Sequence, residues 1–382
     1  MKILMLLSNA FDPDPRVHRE ALTLIANGYD VEILCWDRDL KAAEFEVVDQ
    51  ISLHRVHVRS THGRGAGQIG FLALFWIKAF LKGLSKQYDI VHAHDFDTLA
   101  LGFALSRIKK AKLVYDSHES YVDMLHNHPI WLKKIILTLE DFFLKHIDLL
   151  ITVGEKLNTY FKQRGAKTTC VVGNWQDPEK FVFTKGQIDS ERKKLGILDD
   201  QKVISFIANL GPERQVPQLI EAVRQTPGIF LIIGGNGSSR ALVETAAREC
   251  GNICYLGYVK PHMIPLYTAC SDIVFYGFDP ENPNARFSAP NKLFEGLAAG
   301  KIILTCDFGE IGKIVRESRC GIILDSYSVN DLKKAFADLM TKDTTKLCLN
   351  SLYAGRHLYT LKKATLILIK HYHQIFQRMS QE

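Results

Sequence analysis

The sequence predicts an α/β protein built as two doubly wound domains whose parallel sheets face each other across a cleft. Three observations carry that expectation. Short apolar runs alternate with helical patterns, the signature of βαβ units. The alternation comes as two series, separated by a stretch that Gly173, Pro178 and Gly186 interrupt. A chain of 382 residues also suffices for two domains, each with a substantial core.

In the first series, strands are expected at Ile3–Leu7, Val31–Cys35, Ile51–Val58, Ile90–Ala93, Leu113–Tyr115, Leu149–Val153 and Thr169–Val172. Helical patterns lie between most of them, such as Arg16–Ala26, closed by Gly28, and Thr98–Ile108. This gives a domain over 1–173 and an interdomain linker over 174–190. The second series has strands at Val203–Ala208, Ile229–Ile233, Ile253–Leu256, Ile273–Tyr276, Ile302–Thr305 and Ile322–Leu324, within a domain over 191–358. A final helix, about Leu361–Arg378 within 359–382, carries an apolar stripe that includes Leu366, Ile369, Tyr372 and Ile375.

Composition narrows the class. The chain is 24% charged and 47% hydrophobic, as soluble globular proteins are, and its formal charge of +6 is too diffuse to argue for nucleic acid. No run of 18 apolar residues occurs, and Met1–Leu7 reads as a strand without the cleavage site of an export signal. The eight cysteines lack C-x-x-C spacing, which points to reduced thiols and a cytoplasmic setting.

Open parallel sheets bind ligands beyond the carboxyl ends of their strands, so the loops there are the candidate sites. In the second domain the helix bracketed by Pro290 and Gly300 has a lysine, Lys292, in its first turn. A cation there opposes the partial positive charge of the free amides, unless an anion docks on both. Glu295, one turn on, is placed to reach hydroxyls of whatever carries that anion; a solvated lysine and a capping or otherwise paired Glu295 fit the spacing equally. Arg214 lies in a β-to-α loop at the same edge, where a guanidinium grips phosphate bidentately. The run Ile232-Ile-Gly-Gly-Asn-Gly-Ser238 lets backbone approach a ligand closely at Gly235. Arg240 stands where a dinucleotide fingerprint needs its third glycine, which argues against a dehydrogenase. Tyr258 belongs to a further strand end where a base could be read.

In the first domain His94 and Asp95, His118 and Glu119, and the loop Ser8–Arg16 with Asn9 all fall at strand ends on one edge. Each could be a loop histidine or a cap; three together suggest a cleft lining. His92 and His94 are read on opposite sides of their strand, which argues against a shared metal, and no first-row metal set is expected. Two aromatic, basic segments, Ile69–Leu84 and Ile130–Leu144, fit either helices lying on an anionic membrane surface or core-facing helices.

With these residues assembled, the chain resembles a retaining GT-B-fold glycosyltransferase of family 4, over nearly its whole length. The resemblance rests on Asp14-Pro-Arg-Val-His-Arg-Glu-Ala21, Ala26-Asn-Gly-Tyr-Asp-Val-Glu-Ile33, Val91-His-Ala-His-Asp95, Asp116-Ser-His-Glu119 and Ala289-Pro-Asn-Lys-Leu-Phe-Glu-Gly-Leu-Ala-Ala-Gly300. The last of these places it with a subgroup often found in polysaccharide and glycolipid assembly. It implies two Rossmann-like domains, with the last helix crossing back to the first. It also implies a UDP- or GDP-sugar donor, a glycan or lipid-linked glycan acceptor and no metal. Location is expected in the cytoplasm, peripheral to the inner face of the plasma membrane at most. By the same resemblance Glu295 would hold ribose hydroxyls, and Arg214, Lys292 and the amides around Pro290–Asn291 the diphosphate. His118 would contact the donor sugar near the reacting carbon. Asn9, Arg16, His94 and Asp95, with Glu119 beside them, would face the acceptor.

Two departures stand out. The family's earlier glutamate falls on Phe287, and its usual arginine and lysine after the second domain's first strand correspond to Asn209 and Arg214, leaving one cation there. The alternatives are a sugar-nucleotide epimerase of the same fold, and a catalytically silent subunit that binds nucleotide sugar or a partner.

Overall fold

The computed structural model describes residues 1–12, 14–60, 69–125 and 128–379. They form two compact units, one of Met1–Val172 with Thr365–Glu382, the other of Gly173–Ala364. Pro13, within the candidate loop Ser8–Arg16, lies outside the described residues.

The first unit is built on eight strands: β1 (Lys2–Leu7), β2 (Asp30–Asp37), β3 (Phe45–Val48), β4 (Ile51–His57), β5 (Ile90–His94), β6 (Lys112–Ser117), β7 (Leu149–Thr152) and β8 (Thr169–Val171). Their order is β3-β4-β2-β1-β5-β6-β7-β8. All neighbours pair in parallel except β3, which runs antiparallel to β4 at the edge. The periodicity did not announce β3, because Phe45 and Val47 point their apolar side chains to solvent. Central strands are buried on both faces, as parallel sheets require.

Each face has its own cover. Phe75 of the helix Ile69–Gly83 stacks on Trp36 at 5.1 Å, and Phe71, Leu72, Trp76, Phe80 and Leu84 pack against the same core. The aromatic side of this segment is therefore core-facing, leaving Leu74, Ile77 and Leu81 outward. The helix Ile130–Leu144 differs: Ile136 and Phe143 are buried, while Trp131, Ile135, Leu139 and Phe142 are exposed. On the other face, Tyr372 of the helix Leu361–Met379 donates to or accepts from His92 Nδ1 at 2.7 Å.

The second unit has six strands, all parallel: β9 (Lys202–Ile207), β10 (Ile229–Gly234), β11 (Ile253–Tyr255), β12 (Ile273–Phe275), β13 (Ile302–Cys306) and β14 (Gly321–Leu324), ordered β11-β10-β9-β12-β13-β14. β9 lies inside the sheet, and the strand order reverses direction around it, which puts a crevice at its carboxyl end. The expected linker 174–190 carries structure of its own. Pro178–Phe181 form a 3₁₀ turn, and Thr184 and Gln187 cap the helix Lys185–Lys194 reciprocally. Among the described residues no helix is long and apolar enough to cross a membrane.

Tyr372→Phe tests how the last helix is anchored. Removing the hydroxyl leaves His92 Nδ1 buried without its partner, so a stability loss of about 1–3 kcal/mol is expected in urea unfolding. An unchanged midpoint would show that this contact holds nothing.

Candidate functional site

In the first unit the strand ends converge on one buried carboxylate. Asp116, the fifth residue of β6, lies opposite His94 in the β5–β6 register. The helix Pro15–Ala26 starts at a cap formed by Asp14, whose side chain accepts from the amides of Arg16 and Val17. Asn9 braces that turn, its side chain donating to Asp14 and accepting from Phe11 N. Arg16 then points inward. Its Nε and Nη2 donate to the two oxygens of Asp116 at 2.9 and 2.7 Å, and Nη1 donates to the Val172 carbonyl at 2.6 Å. The guanidinium is thus spent on joining β6 to the end of β8, and it also meets Glu20 at 3.1 Å.

His118 stands at the mouth of this cluster. Its Nε2 lies 3.1 Å from Asp116 and its Nδ1 3.2 Å from Asp95. Asp95 also accepts from the His118 amide, and it holds φ of 60°, an unusual conformation for a non-glycine at a strand end. Glu119 is exposed beside them. Burial would lower the His118 pKa, but Asp95 and Asp116 outweigh it and hold the imidazole charged well above its usual range. Burial would raise Asp116, yet Arg16 and His118 keep it well below the carboxylate range. His94 and His92 are pushed down by burial and stay neutral. Glu20 is pushed up to about 8, by burial first and then by Asp116.

One sequence expectation is corrected here. His92 and His94 share a face of β5, because residues two apart on a strand point the same way. Their rings stack at 4.2 Å, and with Glu20 and Asp116 they form four buried donors whose ligand atoms lie within 4.8 Å of one another. Both oxygens of Asp116 already accept from Arg16, so a metal here would share that carboxylate with the guanidinium. The near-parallel rings, 22° apart, also set the two imidazole planes side by side. Glu20 and Asp116 were absent from the expected site residues. The signal for Glu20 was its position one helical turn after Arg16, and Asp116 was visible as the residue two before His118.

In the second unit the site forms around Tyr276, just past β12. Arg214 ends a short 3₁₀ turn, Pro212–Arg214, where its carbonyl comes so close to residue 277 that a Cβ there would sit 2.5 Å from it. Its guanidinium lies over Phe278 at 4.2 Å, pairs with Glu213 at 3.3 Å and reaches the Tyr276 hydroxyl at 3.4 Å. Lys292, in the first turn of the helix Asn291–Ala298, approaches the ring of the same tyrosine. Its Nζ lies 4.0 Å from the centroid of Phe206 and 5.4 Å from that of Tyr276. It is 8% exposed and, among the described residues, its ammonium has no hydrogen-bond partner. Burial and then Arg214 drive its pKa well below the usual lysine range, with Glu295 opposing them. The helix entry is fixed locally: Pro290 is the cap, Asn174 donates to the Ala289 carbonyl, and Gln176 donates to Asn291 Oδ1.

The glycine loop has a different reason from the one its sequence suggests. A Cβ on Gly235 would lie 1.7 Å from the Ala208 carbonyl oxygen, so the neighbouring loop by itself requires glycine here. Leu210 N donates to Asn236 O and Gly235 N to Gly257 O, lacing three strand ends together. Asn209 and Tyr258 project from this frame to solvent. Phe287, where a carboxylate was looked for, is buried with Arg286 stacked on it at 4.6 Å.

Asp116→Asn would leave Arg16 buried against a neutral partner. The variant is expected to lose about 3–5 kcal/mol at pH 7 in chemical unfolding. Because the folded pKa of Asp116 is depressed, its contribution is present above pH 3.8 and disappears as pH falls through the depressed value, so the difference should shrink in acid. A constant difference across that range would contradict the ion pair.

Comparison with known proteins joins these features. Residues 13–175 match the glycosyl transferase 4-like domain, and residues 187–357 match the glycosyl transferases group 1 family. Alpha-monoglucosyldiacylglycerol synthase of Acholeplasma laidlawii is 25% identical over 277 residues, covering 67% of this chain and 68% of that protein. Sucrose-phosphate synthase from Thermosynechococcus elongatus superposes with a TM-score of 0.82 at 15% identity, covering 99% of this chain and all of the other. Anabaena HepE, solved in complex with UDP-glucose, gives 0.72 at 18% identity with both chains fully covered.

Proposed function

We propose that this chain, which belongs to the group 1 glycosyltransferases of GT-B fold, moves a hexose-type sugar from a nucleotide diphosphate donor to an acceptor hydroxyl with retention of configuration. A UDP-sugar is the preferred donor, in keeping with the UDP-glucose bound by HepE. The acceptor is a lipid-linked or growing glycan, in keeping with the glycolipid named for the Acholeplasma relative.

One observation carries the reading. Two cations 78 residues apart in sequence meet around Tyr276, and the buried one, Lys292, has no hydrogen-bond partner among the described residues. An uncompensated buried ammonium is costly unless an anion joins it. A diphosphate supplies that anion, and the first turn of the helix Asn291–Ala298 adds its partial positive charge. Glu295 is assigned to the ribose hydroxyls, with Gly235, Asn209 and Tyr258 framing the nucleoside side. His118 is assigned to the transferred sugar, and Asn9, His94, Asp95 and Glu119 to the acceptor side. Arg16 acts through Asp116 as a positioning residue.

In the reaction the bond from the anomeric carbon to the β-phosphate oxygen breaks as the bond to the acceptor oxygen forms on the same face. The acceptor proton passes to the departing phosphate, so no protein base is needed. Charge gathers on the diphosphate oxygens, where Arg214 and Lys292 stabilise it, and no metal is required for that task.

Arg214→Ala and Lys292→Ala are each expected to lower turnover by roughly a hundredfold or more; near-parental rates in both would refute the assignment. Glu295→Ala should mainly weaken nucleotide affinity. A thermal-shift screen against UDP, GDP, ADP and their sugars should single out one base through its stabilisation of the folded state. Because the free ammonium is disfavoured by burial, donor binding should be accompanied by proton uptake at Lys292. Calorimetry of UDP binding in two buffers of different ionisation enthalpy reads this directly, with affinity falling as pH rises through the lysine's depressed value. Buffer-independent heats would count against it.

A further inference from the structure

Tyr276 is pinned through its backbone on both sides. Its amide donates to the Leu304 carbonyl of β13 at 2.9 Å. Its carbonyl accepts from the Tyr327 hydroxyl at 2.9 Å. That hydroxyl is fixed in turn, 3.1 Å from Thr305 Oγ1 and accepting from Cys306 N at 3.3 Å. The Tyr276 ring is fully buried and lies nearly parallel to Phe278, with centroids 6.2 Å apart. A phenol held this way presents its oxygen at one place.

Two side chains meet that oxygen. Arg214 Nη1 lies 3.4 Å from it and Ser288 Oγ 2.9 Å. Arginine carries donors only, so the tyrosine oxygen accepts from Arg214. The phenolic hydrogen then has its acceptor in Ser288 Oγ, which leaves the serine's own hydrogen to be given away. Among the described residues Ser288 Oγ has no second hydrogen-bond partner. Ser288 is half-buried, its amide donates to the Ala285 carbonyl at 3.2 Å, and two residues on Pro290 caps the helix that carries Lys292. Its hydroxyl therefore stands within two hydrogen-bond lengths of the Arg214 guanidinium, at the approach to the helix entry.

The chain from Arg214 through Tyr276 to Ser288 runs in one direction, and each member polarises the next toward donation. A hydroxyl polarised by a guanidinium suits an anionic oxygen, the acceptor that gains most from a strengthened donor. A serine acting only as the tyrosine's acceptor would leave its hydrogen unused.

We propose that Ser288 is a diphosphate-binding residue whose hydroxyl donates to a phosphate oxygen of the bound nucleotide, with Tyr276 as the positioning residue that aims it. This rests on the reading of the site as a nucleotide diphosphate pocket, and adds an uncharged donor to its two cations.

The test measures affinities of the full chain for UDP, uridine and inorganic pyrophosphate. Ser288→Ala should lower the ratio of UDP to uridine affinity about tenfold, as losing one hydrogen bond to a charged group does, and weaken pyrophosphate binding in step. Ser288→Thr, which keeps the hydroxyl, should restore both, so a loss through misfolding is told apart. Tyr276→Phe should lower the same ratio, and the double variant should fall no more than about twofold below either single one, because members of one chain are not additive. A parental ratio in Ser288→Ala, no rescue by threonine, or additive losses in the double variant overturns the proposal. If Arg214→Ala weakens UDP binding while Ser288→Ala does not, the serine's role falls and the reading of the pocket stands. If the parent binds neither UDP nor pyrophosphate, both fall together.

Discussion

A guanidinium and a carboxylate withdrawn from water, Arg16 and Asp116, hold the helix Pro15–Ala26 to β6 and to the end of β8. Each is costly to bury alone, and the pair is tolerable because every Arg16 nitrogen finds an oxygen: two on Asp116, one on Val172, with Glu20 beside them. The consequences spread outward. With Asp116 kept ionised, His118 is drawn into its charged form and oriented from both ring nitrogens, Asp95 completing the clamp. His92 and His94, pushed down by burial, remain neutral in the wall behind.

The second unit uses the reverse principle. Lys292 is buried against aromatic faces, where ring quadrupoles offset part of the lost hydration. That compensation is incomplete, and Arg214 nearby makes it worse. The first unit therefore pairs the charges of Arg16 and Asp116 with each other, whereas Lys292 in the second has no hydrogen-bond partner among the described residues.

Much of this was legible in the chain itself. The two βαβ series, the all-parallel second sheet and the strand-end location of Arg214, Lys292, His94 and His118 follow from periodicity and punctuation. Alternatives stayed open where one residue's meaning depends on a neighbour distant in sequence. Gly235 has a reason the sequence does not show, the Ala208 carbonyl against it. The segment Ile69–Leu84 fits a membrane surface or a core equally until Trp36 is seen stacked on Phe75. The edge strand Phe45–Val48 turns apolar side chains outward, so alternation gave no inward face to detect. Assigning His92 and His94 to opposite faces was an error in the strand period itself, and the stacked rings correct it.

By itself the sequence determined the local grammar: which runs become strands, where helices start, and which polar residues stand at the strand ends where open parallel sheets bind ligands. These are properties of windows a few residues wide, set by side-chain periodicity and backbone preference. Tertiary structure alone decided partnership. That Arg214 and Lys292 both approach Tyr276, and that Arg16 turns inward to Asp116 a hundred residues away, depends on strand order and crossover geometry. Charge states follow from the same source, because burial and the distance to a counter-charge exist only once the chain has closed on itself.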